Sequence, residues 1–351
     1  MAVINLQSIN DSLIYKFSSE SELKQTIHKL SENFTSNRED LSEYLKSPKM
    51  VAAYSCFYLL TNIPKLNSVL EKLEMNIDDY GDYEFFDIGA GPATFSLSLL
   101  NQNENLSITA IETSAIMKEQ GERFVESLFS SQDFKYQNLS ETLKEEKVKK
   151  RFGIFGHSAN EMGIKITLDY IRKLDLDIVL FIEPGTKDFF ESFKDIRNEL
   201  KNHYHILYPC LSKASCPLAE DDWCHQYLKL THDPEVERLT QLVSKDRRMS
   251  PIGLSLFSKN NFEQVRKDHV LDEDIIIATI IRVYHQTKFS FEWKICYQEH
   301  GENKVCDLQI MTRDFKKKRI KELNLVTAGT RIQFIKTKEL EHNKLRGKLH
   351  E

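Results

Sequence analysis

From Tyr83 onward, short apolar runs at residues 84–88, 107–111, 178–182 and 204–208 alternate with amphipathic stretches that begin near Ala93, Ser114, Asn160 and Asp188. Strand and helix in repeated alternation predict a parallel sheet with helices on both faces. Ahead of it, between Leu23 and about Leu73, apolar positions recur at helical spacing and are interrupted at Ser47-Pro48 and Ile63-Pro64. That pattern predicts a helical preface with breaks at the two prolines. After Cys224 a polar helical segment leads to apolar residues 252–257 and 275–284, both expected to finish the sheet. Runs at 289–297, 305–311 and 330–335, with the turn His300-Gly301-Glu302-Asn303 between the first two, predict a small antiparallel β-module. The expected class is α/β, in four regions: a helical preface (1–75), a Rossmann-like core (76–208), a cysteine-bearing insertion with the end of the core sheet (209–284), and a β-module with a basic tail (285–351).

The segment Asp87-Ile88-Gly89-Ala90-Gly91-Pro92-Ala93-Thr94 reads as strand, glycine turn and helix start. Gly89 and Gly91 let backbone approach a ligand that a Cβ would push away. The next strand ends at Glu112, where a carboxylate can accept hydrogen bonds from both ribose hydroxyls. The Asp-x-Gly-x-Gly form, with Ala93 in place of a third glycine, favours S-adenosylmethionine over a dinucleotide; the bland reading is a turn with no ligand. Asp87 is placed near the methionine amino end. Residues 157–161, His-Ser-Ala-Asn-Glu, are read as closing the third strand beside the adenine, with Ser158 and Ala159 as cofactor contacts and Asn160 on the substrate side. Glu183 ends the fourth strand and is either a substrate-positioning carboxylate or the cap of the next helix.

At 351 residues the chain has ample interior, so disulfides are not needed for folding. No apolar run approaches a membrane span and residues 1–14 do not read as a signal peptide or presequence, so a cytoplasmic address is expected. A net charge of -5 argues against a protein that coats nucleic acid nonspecifically. The average conceals a basic end: from Arg313 onward Lys and Arg exceed Asp and Glu by seven. The runs at 316–319 and 344–348 are either phosphate contacts or a solvated, frayed tail.

Six cysteines in a reducing compartment favour free thiols or metal over disulfides. Cys56, in an apolar helical stretch, reads as core. Cys210, Cys216 and Cys224 lie at gaps of five and seven residues, with Pro209 before the first and Pro217 after the second. The two-residue hairpin of structural zinc sites is absent, which puts iron–sulfur ahead of zinc, and the gaps do not match the tight three-cysteine motif of radical enzymes. A [4Fe–4S] cluster wants a fourth thiolate, Cys296 in preference to Cys306. His225 is a weaker candidate, as a zinc ligand or a neighbouring donor. Three buried free cysteines without metal is the bland alternative.

Taken together, the glycine loop 87–94, Ser158-Ala159-Asn160-Glu161, Glu183-Pro184-Gly185-Thr186 with Arg197, Pro209-Cys210, Cys216-Pro217, Trp223-Cys224-His225 and Ile295-Cys296 before Gly301 resemble a methyltransferase-like family of small-ribosomal-subunit assembly factors of bacteria and mitochondria. The resemblance covers most of the chain from Tyr54. It implies a Rossmann-type methyltransferase fold, S-adenosylmethionine, a four-cysteine iron–sulfur cluster on Cys210, Cys216, Cys224 and Cys296, and a role in maturing the small subunit and its RNA. Many members carry glycine where this chain has Ala93, and Cys296 lies one residue further from its glycine than the family pattern, which keeps Cys306 in play.

The leading expectation is a probable S-adenosylmethionine-dependent methyltransferase of small-subunit ribosomal RNA, with its catalytic residue unnamed and a monomer as the expected state. Two alternatives stand beside it: a non-catalytic assembly factor that uses the fold as an RNA-binding platform, and a small-molecule methyltransferase.

Overall fold

The computed structural model describes residues 3–36, 47–131, 133–260, 274–284 and 286–350. The chain divides into two compact units, Met1–Ile182 with Leu228–Ser250, and Glu183–Tyr227 with Pro251–Glu351.

The first unit begins with helices α1 (Leu6–Asp11), α2 (Glu20–Ser36), α3 (Pro48–Tyr54) and α4 (Leu60–Lys72). A reciprocal cap opens α1: Asn5 Oδ1 accepts from the Ser8 amide at 2.9 Å, and Ser8 Oγ accepts from the Asn5 amide at 3.0 Å. Pro48 starts α3, where its missing N–H costs nothing. The second predicted break does not occur, because Pro64 lies inside α4. A five-residue π-helical stretch, Ser55–Leu59, runs directly into α4, and Thr61 Oγ1 donates to the Phe57 carbonyl at 2.8 Å. Buried Leu66, Val69 and Leu70 then hold the helix in place.

Five parallel strands follow: β1 (Tyr83–Ile88), β2 (Ser107–Ile111), β3 (Phe134–Gln137), β4 (Lys150–Gly156) and β5 (Ile178–Pro184). Their crossovers carry α5 (Thr94–Gln102), α6 (Ala115–Leu128), α7 (Leu139–Thr142) and α8 (Ala159–Lys173). The central strands read as continuous apolar runs because helices cover both sheet faces. By contrast β3, Phe-Lys-Tyr-Gln at the sheet edge, is half-buried throughout and carries no apolar run. With β3 present, the strand before His157 is the fourth in the chain, not the third, and the strand that carries Glu183 is the fifth, not the fourth.

Further along come α9 (Lys187–Leu200), β6 (His205–Tyr208), β7 (Gln226–Lys229), α10 (Pro234–Leu242) and β8 (Met249–Ser258). β6 and β8 are antiparallel, and the sheet order is β3-β2-β1-β4-β5-β8-β6, with β7 on β8. Parallel strands ending in an antiparallel pair in this order are the Rossmann-like arrangement of class I methyltransferases.

The β-module is a closed barrel of β9 (Ile275–Val283), β10 (Ser290–Glu299), β11 (Glu302–Met311), β12 (Arg331–Leu340) and β13 (Lys344–Leu349), in the order β10-β11-β13-β12-β9. Helix α11 (Lys317–Leu323) joins the third strand to the fourth. β11 and β13 are parallel, whereas the other neighbours are antiparallel. This is the topology of the oligonucleotide/oligosaccharide-binding barrel. Residues 275–284, expected to finish the core sheet, instead start the barrel: an apolar run of Ile, Ala and Thr suits a strand buried in any sheet, and periodicity cannot assign it. The basic segment 344–348 is ordered strand, with Leu345 buried and Gly347 so close to Phe334 that an added Cβ would stand 2.7 Å from its ring.

Candidate functional site

In the first unit, β1 delivers Asp87 to the centre of the sheet and turns sharply. Gly89 (φ +72°) and Gly91 (φ +54°) adopt left-handed conformations, and so does Ala93 (φ +65°) at the start of α5. An added Cβ on Gly89 would lie 2.4 Å from Cβ of Ser158, whereas one on Gly91 would meet nothing within 4 Å. The first glycine therefore closes the loop onto Ser158, whose hydroxyl donates to the Ile88 carbonyl. Open space lies before the second.

Asp87 is buried, and its Oδ2 accepts from the Ser96 amide (2.9 Å) and hydroxyl (2.8 Å), while Oδ1 makes no hydrogen bond. Burial pushes its carboxyl up to about 6 against the pull of the Ser96 bonds. Glu112 Oε2 accepts from the Gly91 amide at 2.9 Å, and Oε1 accepts from the amides of Thr113 (2.7 Å) and Ser114 (2.8 Å). Thus the end of β2 is tied to the glycine loop. Tyr136 of β3 adds a bond that sequence reading missed: its hydroxyl donates to the Gly91 carbonyl at 2.9 Å. Gly121 in α6 makes room for it, since an added Cβ would stand 2.0 Å from the Tyr136 oxygen. A glycine inside an amphipathic helix was the available signal.

On the opposite side of β1 from β2, β4 ends at Gly156 and is followed by His157, which has φ +61°. Lys65 Nζ lies 2.8 Å from its Nε2, and burial, Lys65 and Arg247 hold the imidazole well below its ordinary value. The ring is neutral, with Nε2 accepting from the ammonium. Ala159 is buried and Asn160 half-buried in the first turn of α8, which Gly163 (φ +76°, ψ 169°) interrupts.

In the second unit, Glu183 is fully buried. The helix that follows is capped instead by Thr186, whose side chain accepts from the Phe189 amide at 3.3 Å. Cys210, Cys216, Cys224 and Cys296 line one cavity of about 60 Å³ together with Phe189, Phe190, Phe193, Arg197, Gln226 and Asn303. Arg197 is buried; its Nε donates to Cys210 Sγ at 3.3 Å, and its Nη2 donates to the carbonyls of Ser212 (2.9 Å) and Ala214 (2.7 Å). Asn303 reaches the same loop, with Nδ2 donating to Ala214 O at 3.0 Å and Oδ1 accepting from Ser212 Oγ at 2.8 Å. Asp222, just ahead of the third cysteine, pairs with Arg282 (2.6 Å) and Lys294 (2.5 Å).

The barrel register separates the two fourth-thiol candidates. Cys296 stands opposite Val305, and Cys306 opposite Ile295. Ile295 and Cys306 point into the barrel core, so Cys296 points out. Burial raises the thiols of Cys216, Cys224 and Cys296, the last to about 12, and negative charge on neighbouring cysteines adds to each. Among the described residues no group of three or more His, Cys, Asp or Glu side chains is arranged to hold a metal ion. All six cysteines are free thiols, and Cys56 is core, its Sγ donating to Asn10 Oδ1 at 3.4 Å. His225 stacks on Trp223, with ring centroids 5.5 Å apart, and does not line the cavity. No described helix is long and apolar enough to cross a membrane.

The sheet order and glycine loop define a protein of the methyltransferase-like α/β class. Residues 48–306 match the family model described as mitochondrial small ribosomal subunit Rsm22, and the chain belongs to that family. No curated protein matches the chain significantly. Among solved structures it is similar to precorrin-6y C5,15-methyltransferase from Geobacter metallireducens (17% identical, 55% of this chain and 87% of that chain, TM-score 0.36). It is also similar to magnesium protoporphyrin IX methyltransferase from Synechocystis with bound S-adenosylmethionine (10% identical, 67% and 97%, TM-score 0.36) and to human methyltransferase 10 domain containing protein (13% identical, 58% and 84%, TM-score 0.36).

Proposed function

We propose that this protein binds S-adenosylmethionine at the carboxyl ends of β1, β2 and β4, holds a [4Fe–4S] cluster on Cys210, Cys216, Cys224 and Cys296, and acts on ribosomal RNA of the assembling small subunit. The observation that carries the cofactor half is Asp87: a buried carboxylate with one oxygen bonded to Ser96 and the other without a hydrogen bond suits an ammonium donor such as the methionine amino group. An added Cβ on Gly91 would meet nothing within 4 Å, which suits close approach of a ligand, and Glu112 would exchange its loop amides for ribose hydroxyls. Because β4 and β2 flank β1 on opposite sides, a cofactor with its ribose on Glu112 would have its methionine and methyl end, rather than its adenine, toward His157 and Asn160. The bound cofactor would supply an electrophilic methyl group; the chain's part is to orient it and exclude water.

The cluster half rests on donor chemistry. Four thiols face one cavity, and burial opposes ionisation of Cys216, Cys224 and Cys296, so a cationic iron centre would be what makes thiolates stable there. Arg197 would donate to a cluster ligand through its contact with Cys210. A reducing compartment suits such a site, in keeping with a cytoplasmic address.

A platform reading, in which no methyl is transferred, is favoured by the polar groups at the strand ends. At the end of β4, His157 Nε2 already meets Lys65 Nζ at 2.8 Å, which takes that lone pair away from a substrate proton. One series of measurements separates the readings. Iron and sulfide analysis of anaerobically purified protein and S-adenosylmethionine titration come first, then tritiated methyl transfer to small subunits from a strain lacking the protein. Brown protein that binds the cofactor and labels RNA supports the full proposal. Binding without labelling supports the platform, and colourless protein with stoichiometric zinc defeats the iron assignment.

A further inference from the structure

We infer that the barrel carries a single-stranded RNA site at the end where the β9–β10 loop meets the segment after β11, built on Phe289 as a stacking surface with Lys288, Arg313, Lys316 and Lys317 around it. The inference rests on the reading that RNA is the partner and adds where, and in what form, it binds. In barrels of this topology oligonucleotides usually lie across the second and third strands, flanked by loops. Here the chain itself covers the outer side of those strands. Asn303 of β11 bonds the carbonyls of Ala214 (3.0 Å) and Ser215 (3.2 Å), Lys294 of β10 pairs with Asp222 at 2.5 Å, and Cys296 faces the cysteine cavity. A strand of RNA is thereby excluded from that face and left with the barrel's end.

At that end Phe289 is 69% exposed, although most large apolar side chains of the barrel are interior. It is not a loose loop tip. Thr287 Oγ1 accepts from the amides of Phe289 (3.2 Å) and Ser290 (2.9 Å), while Thr312 donates its amide to the Phe289 carbonyl (2.9 Å) and its hydroxyl to the Lys288 carbonyl (3.0 Å). An aromatic ring held in water by four bonds to its own backbone and neighbours is preorganised to stack. Those Thr312 bonds also set the next residue, Arg313, beside the loop, with its side chain 79% exposed; Lys288, Lys316 and Lys317 are exposed as well. Two acids lie near: Asp314, with its carboxylate 4.0 Å from Arg313 Nε, and Glu292, which Ser290 Oγ reaches at 3.4 Å and which Lys344 already neutralises at 3.0 Å, so the four exposed cations leave an excess of positive charge. Stacking plus clustered cations recognises unpaired bases on a phosphate backbone, and a duplex offers no free base face.

The test is anisotropy of a fluorescent single-stranded oligouridylate on the full chain across a salt series, with an RNA duplex as comparison. Single strands should bind more tightly than duplex, and Phe289→Ala should weaken them about 10-fold with an unchanged salt slope. Arg313→Gln and Lys316→Gln should each lower the slope by about 0.7. Thermal unfolding and S-adenosylmethionine titration of the same variants should match the parent. Equal binding of duplex, a Phe289→Ala variant as tight as the parent, or no RNA binding at low salt would each overturn the site; the last would assign the patch to a protein contact or to solvent. Cosedimentation with small subunits is read in parallel. Loss of that alone, with the Phe289 effect intact, defeats the proposed function and not this site, and the converse defeats this site alone.

Discussion

Arg197 Nε stands 3.3 Å from the sulfur of Cys210, and the same buried guanidinium holds the carbonyls of Ser212 and Ala214. One planar fork thus sets the position of the first cysteine and the course of the loop to the second. Lysine cannot reproduce it, since an ammonium lacks the fixed geometry of the guanidinium. Arg197→Met should lower stability by about 3 kcal/mol, because buried carbonyls lose their donors, and Arg197→Lys should recover less than half. Urea unfolding checks the magnitude, and iron content after anaerobic reconstitution should fall in both variants.

Cys296→Ser and Cys306→Ser should separate cleanly. The first should strip visible absorbance and iron, whereas the second, inside the barrel, should keep both and lose about 1 kcal/mol of packing. If only Cys306→Ser bleaches the protein, the ligand set is wrong.

Asp87 gives a signed pH dependence. Its carboxyl is raised from its usual range to about 6 by burial, so the folded chain binds a proton more readily than the unfolded one. The stability it contributes is full below the unfolded value near 4 and is lost as pH rises toward 6. Cofactor affinity should run the other way, growing with pH through about 6 as the carboxylate forms. Calorimetric titration between pH 5 and 7.5 checks this, and Asp87→Asn should flatten both profiles.

The two glycines should fail differently. Gly89→Ala drives a Cβ into Ser158 and should cost more than about 2 kcal/mol. Gly91→Ala meets no neighbour and should cost about 1–2 kcal/mol from its left-handed backbone, yet lose at least about 10-fold in S-adenosylmethionine affinity. A variant with normal affinity would mean that Gly91 does not face the cofactor. Melting temperature and cofactor titration, measured together, distinguish the cases.

Replacing Glu112 with Ala should weaken the cofactor by about 1–3 kcal/mol, the scale of a lost charged hydrogen bond. The same change frees the Gly91, Thr113 and Ser114 amides, so melting temperature should fall as well.

Much of this was legible along the chain because the informative residues are local. The glycine turn, the apolar strands 84–88 and 107–111, and the clustered cysteines each announce themselves within a few positions. β3 escaped because an edge strand with half-buried residues has neither an alternating nor a continuous apolar pattern. Pro64 misled because tertiary burial of Leu66, Val69 and Leu70 holds the helix together through a proline that local propensity alone would make a break.

What sequence determined by itself is the inventory: a glycine turn between strand and helix with an acid at the end of the next strand, and three cysteines within fifteen residues of chain. What tertiary structure alone decided is which groups face each other. Cys296 lies outside the barrel and Cys306 inside it because barrel register fixes an alternation whose phase the sequence leaves open. His157 falls on the far side of β1 from Glu112 because strand order in a sheet is not strand order in the chain. The isoleucine-rich run 275–281 joins the barrel because side-chain burial is a property of neighbours, and neighbours are assigned by long-range pairing.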